Sequence, residues 1–189
     1  MKNIILASNN AHKLEEIQNV LSLVKINTLS EIGFTDEIEE TANTFEGNAL
    51  IKCETIYQIF KKPVISDDSG LLVHYLNDAP GVYSSRYAGQ NATDQMNYEK
   101  LLENLKDVVD RRAKFVTTIC YYQSPQNIEY FKGELAGIIA EHPEGYNGFG
   151  YDPIFIPEGF NQTLGQLSSE IKNRLSHRAR ALEKFNLVF

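Results

Sequence analysis

The stretch Pro63-Val64-Ile65-Ser66-Asp67-Asp68-Ser69-Gly70-Leu71-Leu72-Val73 constrains this chain more than any other, because two adjacent carboxylates stand between two short apolar runs. Short apolar runs bounded by turn residues read as buried strands, which puts the acids in a turn between them. Neighbouring carboxylates repel and lose hydration on burial unless a cation or several donors compensate. A hard, oxygen-loving cation such as Mg2+ meets that need. Asp, Ser and Gly are also ordinary turn formers, so this stretch alone leaves both readings open.

A chain of 189 residues, 42% hydrophobic and 23% charged, can bury a full core without crosslinks, as one domain or as two lobes sharing a sheet. Eighteen Lys and Arg against 25 Asp and Glu leave a net charge of -7. That balance argues against broad nucleic-acid binding, which depends on counterion release at a basic surface. The exception is local. Lys172, Arg174, His177, Arg178, Arg180 and Lys184 face the single acid Glu183, an island suited to a small polyanion, or else the solvated face of a last helix. Cys53 and Cys120 lie in apolar segments without metal-ligand spacing and read as buried reduced thiols. No run resembles a signal peptide or a membrane span, so the cytosol is the expected compartment.

In chain order, Lys2 to Ala7 reads as a strand, and Ser8-Asn9-Asn10-Ala11-His12-Lys13 leads into a helix with apolar Leu14, Ile17, Val20, Leu21 and Val24. Such a strand-loop-helix junction aims backbone N–H groups and a positive dipole end at a guest, most often a phosphate. Lys13 can add its charge there, although simple capping explains the polar residues equally well. Lys25 to Leu29 reads as a strand, the acidic run from Asp36 to Thr41 as a solvated loop, and Thr44 opens a helix whose apolar face includes Phe45, Ala49, Cys53, Ile56, Tyr57 and Phe60. Thr93-Asp94 caps a further helix reaching Leu105, and Ala113 to Gln123 with Ile128 to Ala140 forms a hairpin around Ser124-Pro125-Gln126-Asn127. In Asn147-Gly148-Phe149-Gly150-Tyr151-Asp152-Pro153, rings alternate with glycines, which suits the stacking of a base or the plugging of a core edge.

Seven separated segments occur together and in order: Ser8-x-Asn10-x-x-Lys13, Glu39-Glu40-Thr41, Asn48-Ala49-x-x-Lys52, Ser66 to Leu71, Ala79 to Tyr87, Gly148 to Pro153, and Ser176-His177-Arg178. In this pattern the chain resembles the inosine triphosphate pyrophosphatase (Ham1-like) family from residue 3 to about residue 185; Asn9 departs from it, standing where many relatives have glycine. The resemblance implies a single domain over residues 1–189, with an elongated two-lobed α/β fold, a long central mixed β-sheet flanked by helices, and an active cleft between the lobes. It implies a homodimer and Mg2+-dependent hydrolysis of inosine and xanthosine triphosphates, ribo or deoxy, to monophosphate and pyrophosphate.

By motif position, Ser8, Asn9, Asn10, Ala11, His12, Lys13 and Lys52 correspond to the triphosphate cradle, with Ser69 beside it, and Asp68 to the metal-binding acid and proton acceptor. The resemblance makes one of Glu39 and Glu40 a second metal ligand, and spacing does not choose between them. Phe149, Gly150, Tyr151, Asp152, Lys172, His177 and Arg178 correspond to the nucleoside site. Arginine and histidine can donate to the 6-oxygen of hypoxanthine or xanthine, whereas adenine would face them with its own donor. Two rivals remain: a pyrophosphatase for other modified nucleotides, such as those of methylated pyrimidines, and a protein that holds a triphosphate without cleaving it.

Overall fold

The computed structural model describes residues 3–21 and 24–188. Lys2, expected to begin the first strand, lies outside the described residues. The strands are β1 (Asn3–Leu6), β2 (Lys25–Asn27), β3 (Val64–Val73), β4 (Arg112–Ser124), β5 (Asn127–Ile139) and β6 (Phe155–Pro157), and the α-helices are α1 (Ala11–Val20), α2 (Phe45–Phe60), α3 (Asp94–Asn104), α4 (Ser169–Leu175) and α5 (His177–Asn186). They build a mixed six-stranded sheet in the order β2-β1-β3-β4-β5-β6. β1 runs parallel to both β2 and β3, with Ile5 opposite Asn27 and Val64, while β5 and β6 are antiparallel, with Ile139 opposite Phe155.

The chain forms two compact units, one of residues 1–68, 117–133 and 178–189 and the other of 69–116 and 134–177. In the first unit, strand alternation sorts the core onto two faces. Ile4, Leu6, Ile65, Ile119 and Tyr121 pack with Ile17 and Leu21 from the α1 region and Ala181, Leu182 and Phe185 of α5. Their immediate neighbours Ile5, Ala7, Val64, Cys120 and Tyr122 pack with Ala49, Cys53 and Ile56 of α2. In the second unit, Leu71, Val73, Phe115, Leu135, Ile139 and Phe155 share one core with Leu101 of α3 and the neighbouring Leu105.

Helix starts follow the capping residues read from the sequence: Asn10, Thr44 and Thr93 each accept the backbone N–H three residues on. The two helices of the last region meet at Ser176, as the sequence pattern suggests. Cys53 and Cys120 are free and buried.

Two expectations are corrected. Asp67 and Asp68 do not sit in a turn between two short strands. β3 is one ten-residue strand running straight through Ser66-Asp67-Asp68-Ser69-Gly70, because buried cations and donors compensate its polar side chains. The basic residues near the C-terminus are likewise not one exposed patch: Lys172, His177 and Arg178 are buried, and Lys172 and Arg178 are ion-paired within different units.

Candidate active site

The strand period of two that sorts the core also sorts the acids. Asp67 follows Ile65 toward the side of α1 and α5, and Asp68 follows Val64 and Ser66 toward α2. Ser66 Oγ donates to the Ala49 carbonyl of α2 at 2.6 Å. Two residues later, Asp68 Oδ2 accepts Asn48 Nδ2, from the same helix, at 3.0 Å. Asn48 Oδ1 in turn accepts the Ala42 N–H at 2.9 Å, which ties down the segment that follows Glu40. One helical turn beyond Asn48, Lys52 places its ammonium 2.8 Å from Glu40 Oε1, 2.6 Å from the Asp67 backbone carbonyl and 4.0 Å from Asp68 Oδ1. Burial pushes the Asp68 carboxyl above its ordinary pKa range, with Glu40 adding to the shift and Lys52 opposing it. For Lys52 burial works downward, but Asp68, Asp67 and Glu40 together outweigh it and hold the ammonium charged.

On the other side of the strand, Asp67 is 0% exposed. Its Oδ2 lies 3.2 Å from Lys13 Nζ, 3.1 Å from Arg178 Nε and 3.0 Å from an Arg178 terminal nitrogen. Arg178 extends the chain of alternating charge to Glu16 of α1. Burial raises the Asp67 carboxyl, yet Lys13 and Arg178 prevail and hold it well below the usual carboxylate range. Among the described residues Asp67 Oδ1 has no hydrogen-bond partner. Burial lowers the Lys13 pKa, with Asp67 working against the shift. Lys13 stands in the first turn of α1, whose entry is shaped by Ser8 Oγ accepting the Asn10 N–H at 3.2 Å and Asn10 Oδ1 accepting the Lys13 N–H at 3.1 Å. Asn9, Asn10, Ala11 and His12 are exposed there, at the positive end of the helix dipole.

The first unit therefore gathers Ser8 to Lys13, Glu40, Lys52, Asp68 and Arg178 around β1, β3 and the helices packed on them. Glu39 is exposed, whereas Glu40 is half-buried and reaches Lys52 beside Asp68, so the pair Glu40 and Asp68 is the better candidate for a cation. Two carboxylates suit Mg2+, which keeps several waters and takes substrate phosphates as further ligands.

The second unit gathers the residues of the glycine-aromatic loop. Asp152 Oδ2 accepts the Phe149 N–H at 2.9 Å and pairs with Lys172 Nζ at 2.7 Å. That ammonium also lies 4.4 Å from the centre of the Phe149 ring, a cation–π contact. Gly148 is required for this packing: at φ +80° a Cβ would sit 2.0 Å from Asp152 Oδ2. Gly150 donates its N–H to Asp94 Oδ2 at 2.7 Å, and the Tyr151 hydroxyl donates to the Ser84 carbonyl at 2.7 Å. His177 stacks on Phe115, with ring centres 4.8 Å apart and planes 12° from parallel. Ser69 continues β3 into this unit, half-buried.

Several contributors are absent from the sequence-derived site. Asn48 had a usable signal, one turn before Lys52 on the same helix. The ion pairing of Asp67, the support of Arg178 by Glu16, and the contacts of Asp94 and Ser84 to the aromatic loop had none, since their partners lie 54 to 162 residues away.

The sequence profile of the Ham1 family matches residues 4–187. The chain is 46% identical over 192 residues to the dITP/XTP pyrophosphatase of Bacillus licheniformis, covering 100% of this chain and 98% of that protein. The structure of the Staphylococcus aureus Ham1 protein superposes with a TM-score of 0.91 at 42% identity, covering 99% of this chain and 97% of that one. A HAM1 protein from Coxiella burnetii gives a TM-score of 0.93 at 42% identity, covering 100% and 98% respectively.

Proposed function

This chain belongs to the Ham1 family, and we propose that it hydrolyses non-canonical purine nucleoside triphosphates, dITP, ITP and XTP, to monophosphate and pyrophosphate, so cleansing the nucleotide pool. The observation that carries the chemistry is the cluster of Asp68, Glu40 and Lys52 on the α2 side of β3.

Water attacks the α-phosphorus, the bond from that phosphorus to the bridging oxygen breaks, and pyrophosphate leaves with the bond's electron pair. The reaction needs alignment and charge neutralisation more than covalent help. Asp68, with its carboxyl raised by burial, is the acceptor for the proton of the attacking water. Asn48 orients that carboxylate through its 3.0 Å hydrogen bond. Lys52 and Lys13 supply positive charge for the triphosphate, and the loop from Ser8 to His12 supplies backbone donors at the helix start. Glu40 and Asp68 would hold Mg2+, which when bound neutralises phosphate charge and activates water.

In the second unit, Phe149 offers a flat face for the purine, with Gly150, Tyr151 and Asp152 shaping its loop and the Lys172 ammonium lying against the ring. His177 is the donor for the 6-oxygen. Arg178 belongs to the same assignment, and its guanidinium is held by Asp67 and Glu16 in the structure. The same reading includes a homodimer in the cytosol, so the 21.4 kDa chain should sediment at twice that mass.

The decisive experiment is pyrophosphate release from ITP, dITP, XTP, GTP and ATP with Mg2+. Turnover of the first three should far exceed that of ATP. Comparable hydrolysis of ATP would defeat the base assignment, and tight ITP binding without pyrophosphate release would defeat the assignment as a hydrolase.

A further inference from the structure

We propose that Asp94 is a positioning residue for the Phe149 ring, and so a determinant of affinity for the purine. The inference rests on the assignment of Phe149 as the stacking surface.

Glycines on both sides make the Phe149 backbone permissive: Gly148 and Gly150 take φ values of +80° and +62°. Hydrogen bonds at the two peptides that flank it restrain it. The Phe149 N–H donates to Asp152 Oδ2 at 2.9 Å, and the Phe149 carbonyl accepts the Asp152 N–H at 3.2 Å. Both close within the loop and set its shape, and Asp152 also ties it to Lys172 of α4. A third leaves the loop: the N–H of the peptide that follows Phe149 donates to Asp94 Oδ2 at 2.7 Å, across 56 residues of sequence. An ionised acceptor makes this a charge-assisted bond.

The other end of that bond is fixed. Asp94 is the first residue of α3, which is capped by Thr93 and buries Leu101 in the second core. Asn97, 2% exposed, donates to the Ser85 carbonyl at 3.0 Å and accepts the Ala88 N–H at 2.8 Å. An aspartate in a first helical turn ordinarily serves the helix dipole. Here the same carboxylate also holds the peptide next to Phe149.

The test separates the two duties of the α3 start. Asp94→Ala should raise KM for ITP about three- to tenfold while kcat stays within about twofold, the loss expected for one hydrogen bond to a charged, exposed acceptor. Asp94→Asn, whose amide oxygen can still accept the Gly150 N–H, should restore KM. Thr93→Ala removes the cap that accepts the Met96 N–H and should lower Tm without moving KM. An unchanged KM in Asp94→Ala overturns the proposal. So does a rise in Thr93→Ala equal to that in Asp94→Ala, or a failure of Asp94→Asn to restore. Phe149→Ala tells which idea has failed: if it raises KM while Asp94→Ala does not, only the positioning role falls, and if it leaves KM unchanged, the stacking assignment falls and the proposal with it.

Discussion

Removing the Asp67 carboxylate takes from two cations the acceptor they share. Asp67→Ala leaves Lys13 and Arg178 without their shared acceptor, and breaking a buried pair in this way costs about 3–5 kcal/mol, measurable as a lower urea midpoint. Asp67 also governs acid stability. Its pKa is depressed in the fold, so its contribution is fully present above the unfolded value of about 3.9 and is lost as pH falls through the folded value. The Asp67→Ala penalty should therefore shrink below about pH 4.

The neighbouring Asp68 behaves in the opposite sense. Its pKa is raised, so the charged carboxylate opposes folding at neutral pH. Asp68→Asn should cut kcat about 10^2- to 10^4-fold while Tm stays level or rises. A marked fall in Tm would show that the carboxylate holds the fold, and retained turnover would remove it from the chemistry. Two adjacent acids thus answer to different assays, because successive side chains of a strand point to opposite faces.

At the scale of the element, the loop around Phe149 is shaped by glycine and by Asp152. Gly148→Ala places a Cβ 2.0 Å from the Asp152 carboxylate at a backbone angle that disfavours side chains. The loop must distort and loosen both the Phe149 N–H bond and the Lys172 pair. We expect a loss of about 1–3 kcal/mol of stability and a higher KM for ITP; a variant with parental Tm and KM would show that the loop absorbs the change. α2 acts differently, as a rigid ruler: Asn48 and Lys52 lie one turn apart, and both attend Asp68.

For the whole molecule, a net charge of -7 opposes the approach of a triphosphate. Lys13 and Lys52, with the divalent cation proposed for Glu40 and Asp68, would reverse that sign locally. Chelation with EDTA should abolish pyrophosphate release, and excess Mg2+ should restore it. Activity that persists in EDTA would leave Glu40 and Asp68 without a metal role.

Strand and helix order, the helix caps and the break at Ser176 were legible in the amino-acid sequence, since periodicity and capping are local properties of the chain. The course of the chain through Asp67 and Asp68 was not. Local rules treat Asp, Ser and Gly as breakers, and the groups that keep β3 extended there, Lys13, Arg178, Asn48 and Lys52, arrive from α1, α2 and α5. The contact of Glu40 with Lys52, on which its proposal as a metal ligand rests, likewise needed the folded chain. Local patterning specifies which elements form; which charges meet is decided only when packing excludes water and each buried charge must find its partner.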